Sequence, residues 1–172
     1  MNKSSIIIVV LFFMIRCTSE EHKTKPYINQ NKLKEQFQKA NQLVVQKEID
    51  EMDYFEKTHK MQFIKTPLGV RYYRYDSIPK QEKIKENDEI SMNYTVSLLT
   101  GEVCYTDEGT PKTFIVGGEH IESGIHRIMP YLHYGDKAYI LINSHLAHGL
   151  LGDMNKIPPQ SPILYKVYIH KK

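Results

Sequence analysis

The sequence predicts an α+β fold, in which several antiparallel strands pack against one short helix and a long helix precedes them. Residues 89–98 alternate between apolar and polar side chains, which is the period of a half-buried strand. Short apolar and aromatic runs at 70–75, 103–106, 112–117, 137–142 and 163–167 indicate further strands. The apolar spacing between residues 119 and 134 is helical instead. Strands in succession with a single helix among them favour an α+β arrangement.

Length and charge are those of one domain with tails. The chain has 172 residues and a formal charge of +3. Removing the two cations of the N-terminal segment, Lys3 and Arg16, lowers this charge by two, to +1. Nucleic-acid-binding domains need a concentrated basic face, so this composition argues against that class.

The N-terminus has the pattern of a targeting segment. A basic start is followed by a nearly unbroken apolar run at residues 6–15, which is shorter than the roughly 20 residues of a membrane span and fits the core of a signal peptide. Because Cys17 follows directly, residues 1–16 resemble a bacterial lipoprotein signal, with Cys17 as the lipidated residue and residues 17–30 as a flexible tether. Arg16 departs from that pattern, in which a small residue precedes the cysteine. An uncleaved anchor or an ordinary signal peptide is therefore the alternative.

Each of these alternatives predicts export, and the lipoprotein interpretation predicts a membrane-anchored domain facing the periplasm or the cell surface. The chain has one other cysteine, Cys104. If Cys17 carries lipid, Cys104 lacks a disulfide partner, and we expect it to be a small buried hydrophobic residue.

A long amphipathic helix is predicted for residues 31–60. Its apolar residues recur at steps of three or four between mixed charges; they are Leu33, Phe37, Ala40, Val44, Ile49, Met52 and Phe55. This stripe either packs on its own domain or serves as a stalk, or it pairs two copies in a homodimer through residues 31–57. A Pro/Gly turn at residues 66–69 ends the region, and the globular domain is expected over residues 66–172.

Turn-forming and charged residues predict the connections between the strands and the helix of that domain. Residues 77–88 form a charged connection, and residues 99–102 form a hairpin turn. The helical pattern over residues 119–134 contains Pro130, where the helix is expected to end or bend. Its predicted buried stripe is Ile121, Ile125, Ile128, Met129 and Leu132. A loop with Gly149, Gly152 and Pro158 then separates the last two strands.

This order of segments resembles the FKBP-type peptidyl-prolyl isomerases over residues 67–170. The matching pieces include residues 93–95 and 113–117, Ile121 to Ile125, Tyr134 to Ala138, Ala147 to Gly149, and residues 157–159 and 163–167. Within the family, the chain is most similar to the exported lipoprotein branch associated with gliding motility. The resemblance implies an antiparallel half-barrel sheet wrapped around one short helix.

The resemblance also implies a function. Members bind a prolyl ring in an apolar cup and accelerate rotation about the X–Pro bond, whose barrier is about 18–20 kcal/mol. The cup desolvates the imide, and a backbone N–H holds the neighbouring carbonyl, which is complementarity to the transition state. No cofactor is expected. The implied role is that of a membrane-tethered isomerase that assists the folding of exported proteins, with their prolyl segments as partners.

Site residues follow from the resemblance, position by position. The implied substrate-binding residues are Tyr94, Cys104, Tyr105, Phe114, Ile121, Glu122, Ile125, His148, Ile157 and Tyr165. Ile121 and Glu122 stand where a backbone N–H meets the substrate carbonyl, and no residue is assigned as catalytic.

Several of these positions depart from the family pattern. Ile125 replaces the aromatic floor of the cup, Cys104 and Lys112 replace wall aromatics, and His148 replaces a loop tyrosine. These departures predict weak isomerase activity at best. The alternative is a non-catalytic binding module or an accessory subunit of a membrane, secretion or motility complex.

Other site chemistries are disfavoured by the sequence. The two histidines at 145 and 148 lack the spacing and the glutamate of a helical zinc motif, so no metal site is predicted. Glu119, Glu122 and Asp153 have no fixed separation as an acid–base pair, and solvation at the surface is the expected role of their carboxylates.

Overall fold

A computed structural model describes residues 29–118 and 121–172. The chain divides into two compact units, residues 1–36 and 37–172. The predicted signal peptide, Cys17 and most of the predicted tether lie outside the described residues, as do Glu119 and His120. The described part of the first unit is the start of helix α1, where the Asn29 side chain accepts hydrogen bonds from the backbone N–H groups of Asn31 and Lys32 and so caps the helix.

Two α-helices and seven strands make up the described chain. The helices are α1 (Gln30–His59) and α2 (Ser123–Ile128), and short 3₁₀ turns occupy Met129–Tyr131 and Ser144–Leu146. The strands are β1 (Ile64–Lys65), β2 (Arg71–Asp76), β3 (Glu89–Leu98), β4 (Val103–Thr106), β5 (Lys112–Ile115), β6 (Lys137–Ile142) and β7 (Ile163–Lys171).

All strand pairs of the sheet are antiparallel. The order is β1-β2-β6-β7-β3-β4, and β5 pairs with the beginning of β3. Strand β7 lies between β6 and β3, so that Val96 faces Tyr165 across the β3–β7 pair. This arrangement of one antiparallel sheet, one short helix and a long N-terminal helix confirms the predicted α+β fold.

The main core lies between one face of the sheet and α2. Alternate residues of β6 and β7 point into it, among them Ile140, Ile142 and Tyr165. Ile125 and Ile128 of α2 and Met129 of the turn after it complete the packing at 0% exposure. This is the half-buried pattern that period-two alternation predicts.

Helix α1 covers the other face of the same sheet. Leu141 and Leu164 are outward residues of β6 and β7, and they pack in a second cluster with Met52, Phe55 and Phe63. The second face of the central strands is therefore apolar as well, and the C-terminal half of α1 is a layer of the domain.

Two polar anchors fasten the helix to the sheet side of the domain. Arg71 of β2, whose side chain is 7% exposed, lies 2.6 Å from Asp53 and 2.5 Å from Glu56. Glu48 is 1% exposed and accepts hydrogen bonds from the backbone N–H of Ser144 at 2.8 Å and from its hydroxyl at 2.5 Å. Burial of a carboxylate is tolerated where such donors satisfy it.

The structure corrects the expected helix over residues 119–134. Helix α2 contains only Ser123–Ile128, and the chain continues as the 3₁₀ turn that includes Pro130. Proline has no N–H to continue the α-helical bonding pattern, which accounts for the early end. The predicted apolar stripe of α1 is also only partly buried: Met52 and Phe55 are inside, whereas Phe37 is 61% exposed.

Among the helices of the described residues, none has the length and hydropathy needed to span a membrane.

Candidate functional site

A cleft of about 330 Å³ opens beside the start of α2. Strands of the sheet supply one wall, the chain leading into α2 supplies another, and the loop between β6 and β7 closes it. The lining residues are Met92, Tyr94, Val96, Tyr105, Lys112, Ile121, Glu122, His148, Asp153, Asn155 and Tyr165.

The structure brings six of the ten predicted site residues to this cleft. They are Tyr94, Tyr105, Ile121, Glu122, His148 and Tyr165. The other four are Cys104, Phe114, Ile125 and Ile157; they are buried in the main core and do not line the cavity. The family pattern has an aromatic residue at position 125, and the shorter Ile125 does not reach the cavity. Met92 and Val96 supply apolar lining instead.

Two tyrosines form the aromatic wall. The rings of Tyr94 on β3 and Tyr165 on β7 have centroids 6.0 Å apart at an interplanar angle of 44°. Burial raises the pKa of both phenols, and the nearby Glu122 carboxylate raises them further. Both hydroxyls therefore stay protonated over the physiological range and remain hydrogen-bond donors.

A carboxylate stands at the centre of the polar side of the cleft. Glu122 immediately precedes α2, and its side chain is only 17% exposed. Its Oε1 lies 3.2 Å from Nε2 of His148. Its other oxygen, Oε2, is buried and accepts no hydrogen bond from any described residue.

The backbone N–H of Glu122 is a second group that a ligand could use. Its N–H donates to no acceptor within residues 29–118 and 121–172, and the residue is extended, with φ −59° and ψ 139°. A carbonyl of a bound peptide is a suitable acceptor for this group.

Asp153 organises the loop that closes the cleft. It accepts a hydrogen bond from the Tyr105 hydroxyl, and its Oδ1 accepts from the backbone N–H groups of Asn155 at 2.9 Å and Ile157 at 2.8 Å. Burial alone would raise the pKa of Asp153, but these bonds, that of Tyr105 first, lower it to about 2. The expectation of a merely solvated carboxylate at this position is wrong. The Asp–Met–Asn spacing of an Asx turn was the sequence signal that could have shown this.

Gly152 allows two parts of the same loop to pass close to each other. Its φ is +68°, and an added Cβ would collide with the Ile157 carbonyl oxygen and the Pro158 backbone. Only glycine fits this position without displacing the loop.

Cys104 behaves as a buried apolar residue. It is 2% exposed, and its Sγ lies 3.6 Å from the Lys156 carbonyl oxygen. Burial, with a smaller effect of Glu102, raises the pKa of this thiol, which leaves it protonated and a poor nucleophile. In the described part of the chain, no three His, Cys, Asp or Glu side chains gather as metal ligands.

The groups that line the cleft are of the kind that can bind and desolvate a short segment of chain. It offers apolar side chains, tyrosine rings, a backbone N–H and one incompletely paired carboxylate. Rotation about an X–Pro bond requires no nucleophile, only surroundings that favour the twisted imide over the planar one.

Comparison with known proteins points to one family. The family described as FKBP-type peptidyl-prolyl cis-trans isomerase matches residues 80–170. The chain is similar to "FK506-binding protein 2" of Dictyostelium discoideum, at 30% identity over 60% of this chain and 77% of that protein. It is also similar to "Peptidyl-prolyl cis-trans isomerase" of Schizosaccharomyces pombe, at 29% identity over 58% of this chain and 91% of that protein. The solved structure of AtFKBP13 has the same fold, with a TM-score of 0.58 at 22% identity over 62% of this chain and 95% of the other.

Proposed function

Because the chain belongs to the FKBP-type peptidyl-prolyl cis-trans isomerase family, we propose that its cleft binds X–Pro segments and accelerates their cis–trans rotation weakly. The observation that carries this proposal is the cleft itself. Tyr94, Tyr165 and Ile121 line a cavity large enough for a prolyl ring. Glu122 lines it too, and its backbone N–H has no acceptor among the described residues.

Weak rather than full activity follows from what lines the cavity. Ile125 is fully buried and does not reach the cleft, so the ring of a prolyl residue meets no aromatic floor. The carboxylate of Glu122 makes one side of the cleft polar. A less apolar cup desolvates the imide less completely, and less of the rotation barrier is removed.

Turnover of short X–Pro peptides tests this proposal. We expect a measurable acceleration well below that of an isomerase with an aromatic floor, and we expect Tyr94→Ala to abolish it. The matched control is Tyr54→Ala on α1, where the side chain is 70% exposed and is not among the residues that line the cleft. Turnover equal to that of an aromatic-floored isomerase contradicts the proposed weakness.

Peptide binding separates the two function classes. If wild type binds X–Pro peptides, Tyr94→Ala abolishes binding and neither protein accelerates rotation, the domain is the non-catalytic module that the altered cleft also suits. Refolding of a proline-limited substrate with and without the protein gives the corresponding result for a folding role, since X–Pro isomerisation is slow enough to limit folding.

We further propose that residues 1–16 direct export, that Cys17 is lipidated and that the domain works at a membrane facing the periplasm or the cell surface. Support comes from the apolar run and the cysteine that follows it. In this setting the protein assists the folding of exported proteins or joins a motility-associated complex, as in the lipoprotein branch that the sequence resembles.

Incorporation of labelled palmitate should be lost in Cys17→Ser and retained in Cys104→Ser; label retained in Cys17→Ser would contradict lipidation at Cys17.

A homodimer through residues 31–57 is the last element of this proposal. It is supported by the apolar side chains that α1 leaves exposed, Phe37 at 61% and Leu43 at 66%.

A further inference from the structure

Glu122 is an unusual lining residue for a cleft that takes a prolyl ring. Its side chain is 17% exposed, and its Oε2 is buried without a hydrogen-bond donor among the described residues. A buried carboxylate oxygen without a donor carries a desolvation cost that a ligand donor removes. The free cleft is therefore incomplete at this atom.

The groups around Glu122 suit a cation. The rings of Tyr94 and Tyr165 line the same cavity, and aromatic faces attract ammonium and guanidinium groups. Tyr105 at the edge of the cleft already has the Lys156 ammonium 5.3 Å from its ring centroid, which shows this type of contact within the site.

The remaining charges of the cleft leave Glu122 as the available anion. Asp153 is occupied by the Tyr105 hydroxyl and two backbone N–H groups. His148 lies 3.2 Å from Oε1 of Glu122 and does not donate to Oε2. Lys112 lines the cleft but forms no ion pair with either carboxylate in the part of the chain that the structure describes.

We infer that the cleft selects prolyl segments in which a lysine or arginine flanks the proline, with Glu122 as the residue that recognises the positive charge. This inference rests on the proposed binding of prolyl segments. A side-chain ammonium or guanidinium supplies the donor that Oε2 lacks, and the tyrosine rings flank its alkyl stem.

Peptide affinities measured by calorimetry test the inference. The probes are four peptides of equal length carrying Lys-Pro, norleucine-Pro, Glu-Pro or Pro-Lys, and a fifth in which alanine replaces the proline of Lys-Pro. Norleucine keeps the lysine stem without its charge. We expect wild type to bind the better lysine peptide about tenfold more tightly than the norleucine peptide, and the glutamate peptide least tightly.

The Glu122→Gln variant should lose this lysine preference, so that it binds the lysine and norleucine peptides with equal affinity. Glu102→Gln, at an exposed turn position outside the cleft, is the matched control and should keep it. The lysine–norleucine comparison in wild type needs no variant and is independent of any folding defect.

The outcomes separate the two proposals. Equal affinity for lysine and norleucine peptides, with proline still required, overturns the charge preference and keeps prolyl binding. A lysine preference that depends on Glu122 but not on proline keeps the cation site and overturns the proposed function. Absence of binding by all five peptides overturns both.

Discussion

At the scale of single residues, Asp153 has the most partners of any side chain at the cleft. It joins a tyrosine of β4 to two backbone groups of the loop between β6 and β7. This one carboxylate fixes the distance between the loop and the sheet wall, which sets the width of the cleft.

The decrease in the free energy of unfolding at acid pH should depend on the Asp153 carboxylate. The pKa of Asp153 is about 2 in the folded protein, against an ordinary value of 3.8. The contribution of this carboxylate to the free energy of unfolding is therefore complete above about pH 4 and is lost as the pH falls towards 2. Asp153→Asn should lower the free energy of unfolding by about 1–2 kcal/mol near neutral pH, because hydrogen bonds to charged groups contribute on that order. It should also flatten the stability profile between pH 4 and 2.

Urea unfolding at a series of pH values gives both quantities. Asp50→Asn, on the exposed side of α1, is the matched control and should leave the profile unchanged. An acid limb of unchanged slope in Asp153→Asn would show that this carboxylate does not hold the loop.

The sequence predicted several residues that line the cleft, but not the burial and hydrogen bonding of its side chains. The positions of Tyr94, Ile121 and Tyr165 follow from the family resemblance, and they line the cavity. The depth of a side chain depends on its neighbours in three dimensions, and for this reason the sequence did not decide between the two roles predicted for Ile125, a buried helix residue and a lining residue of the cleft. The unpaired oxygen of Glu122 is likewise a property of packing, which no spacing in the sequence reveals.

At the scale of elements, one of the two polar anchors of helix α1 spans 96 residues of sequence. Glu48 accepts both donors of Ser144, just after β6 ends. The same turn leads to His148 in the cleft, since Gly149 donates its N–H to the Ser144 carbonyl at 2.7 Å.

Removing this carboxylate should loosen the helix. We expect Glu48→Ala to lower the free energy of unfolding by about 1–3 kcal/mol, because it leaves buried donors of Ser144 without an acceptor. Amide hydrogen exchange should accelerate in residues 44–59 before the central strands are affected. Glu51→Ala, whose partly exposed carboxylate is paired with Lys47, is the control; equal exchange rates in the two variants would contradict the anchoring role of Glu48.

The elements were predictable where periodicity is long and uninterrupted. Strand β3 begins and ends where the alternation does, and α1 follows its three-and-four spacing. Helix α2 was overestimated because apolar spacing continues through Pro130 into a 3₁₀ turn. Strand β1 has two residues, too few for a period to be seen.

At the scale of the whole molecule, the sheet is covered on both faces. Met52 and Phe55 of α1 cover Leu141 and Leu164 on the side away from α2. A truncated chain of residues 62–172 would expose these leucines. Each such side chain contributes about 1.5–3 kcal/mol when buried, so we expect a loss on the order of 5 kcal/mol, comparable with the whole stability of many domains.

Thermal unfolding followed by circular dichroism measures that loss. Deletion of residues 1–36, which keeps Glu48 and the covering residues, is the control and should unfold at nearly the temperature of the full chain. A 62–172 fragment as stable as this control would mean that α1 is not part of the core.

The proposed homodimer makes a prediction at the same scale. Phe37→Lys combined with Leu43→Lys should convert the dimer to a monomer, because it places charges at exposed apolar positions of α1. The control carries the same two added charges at exposed polar positions, Gln38→Lys with Gln42→Lys. Sedimentation equilibrium distinguishes the masses; a monomeric wild type, or a dimer in all variants, would contradict an interface through residues 31–57.

The contact between Glu48 and Ser144 has a mechanical consequence. Force applied along α1 would reach the turn that begins at Ser144. His148 lies at the end of that turn and contacts Glu122. A pull on the helix would thereby be transmitted to the mouth of the cleft. In such a protein, tension on the chain and affinity for a ligand would be coupled quantities.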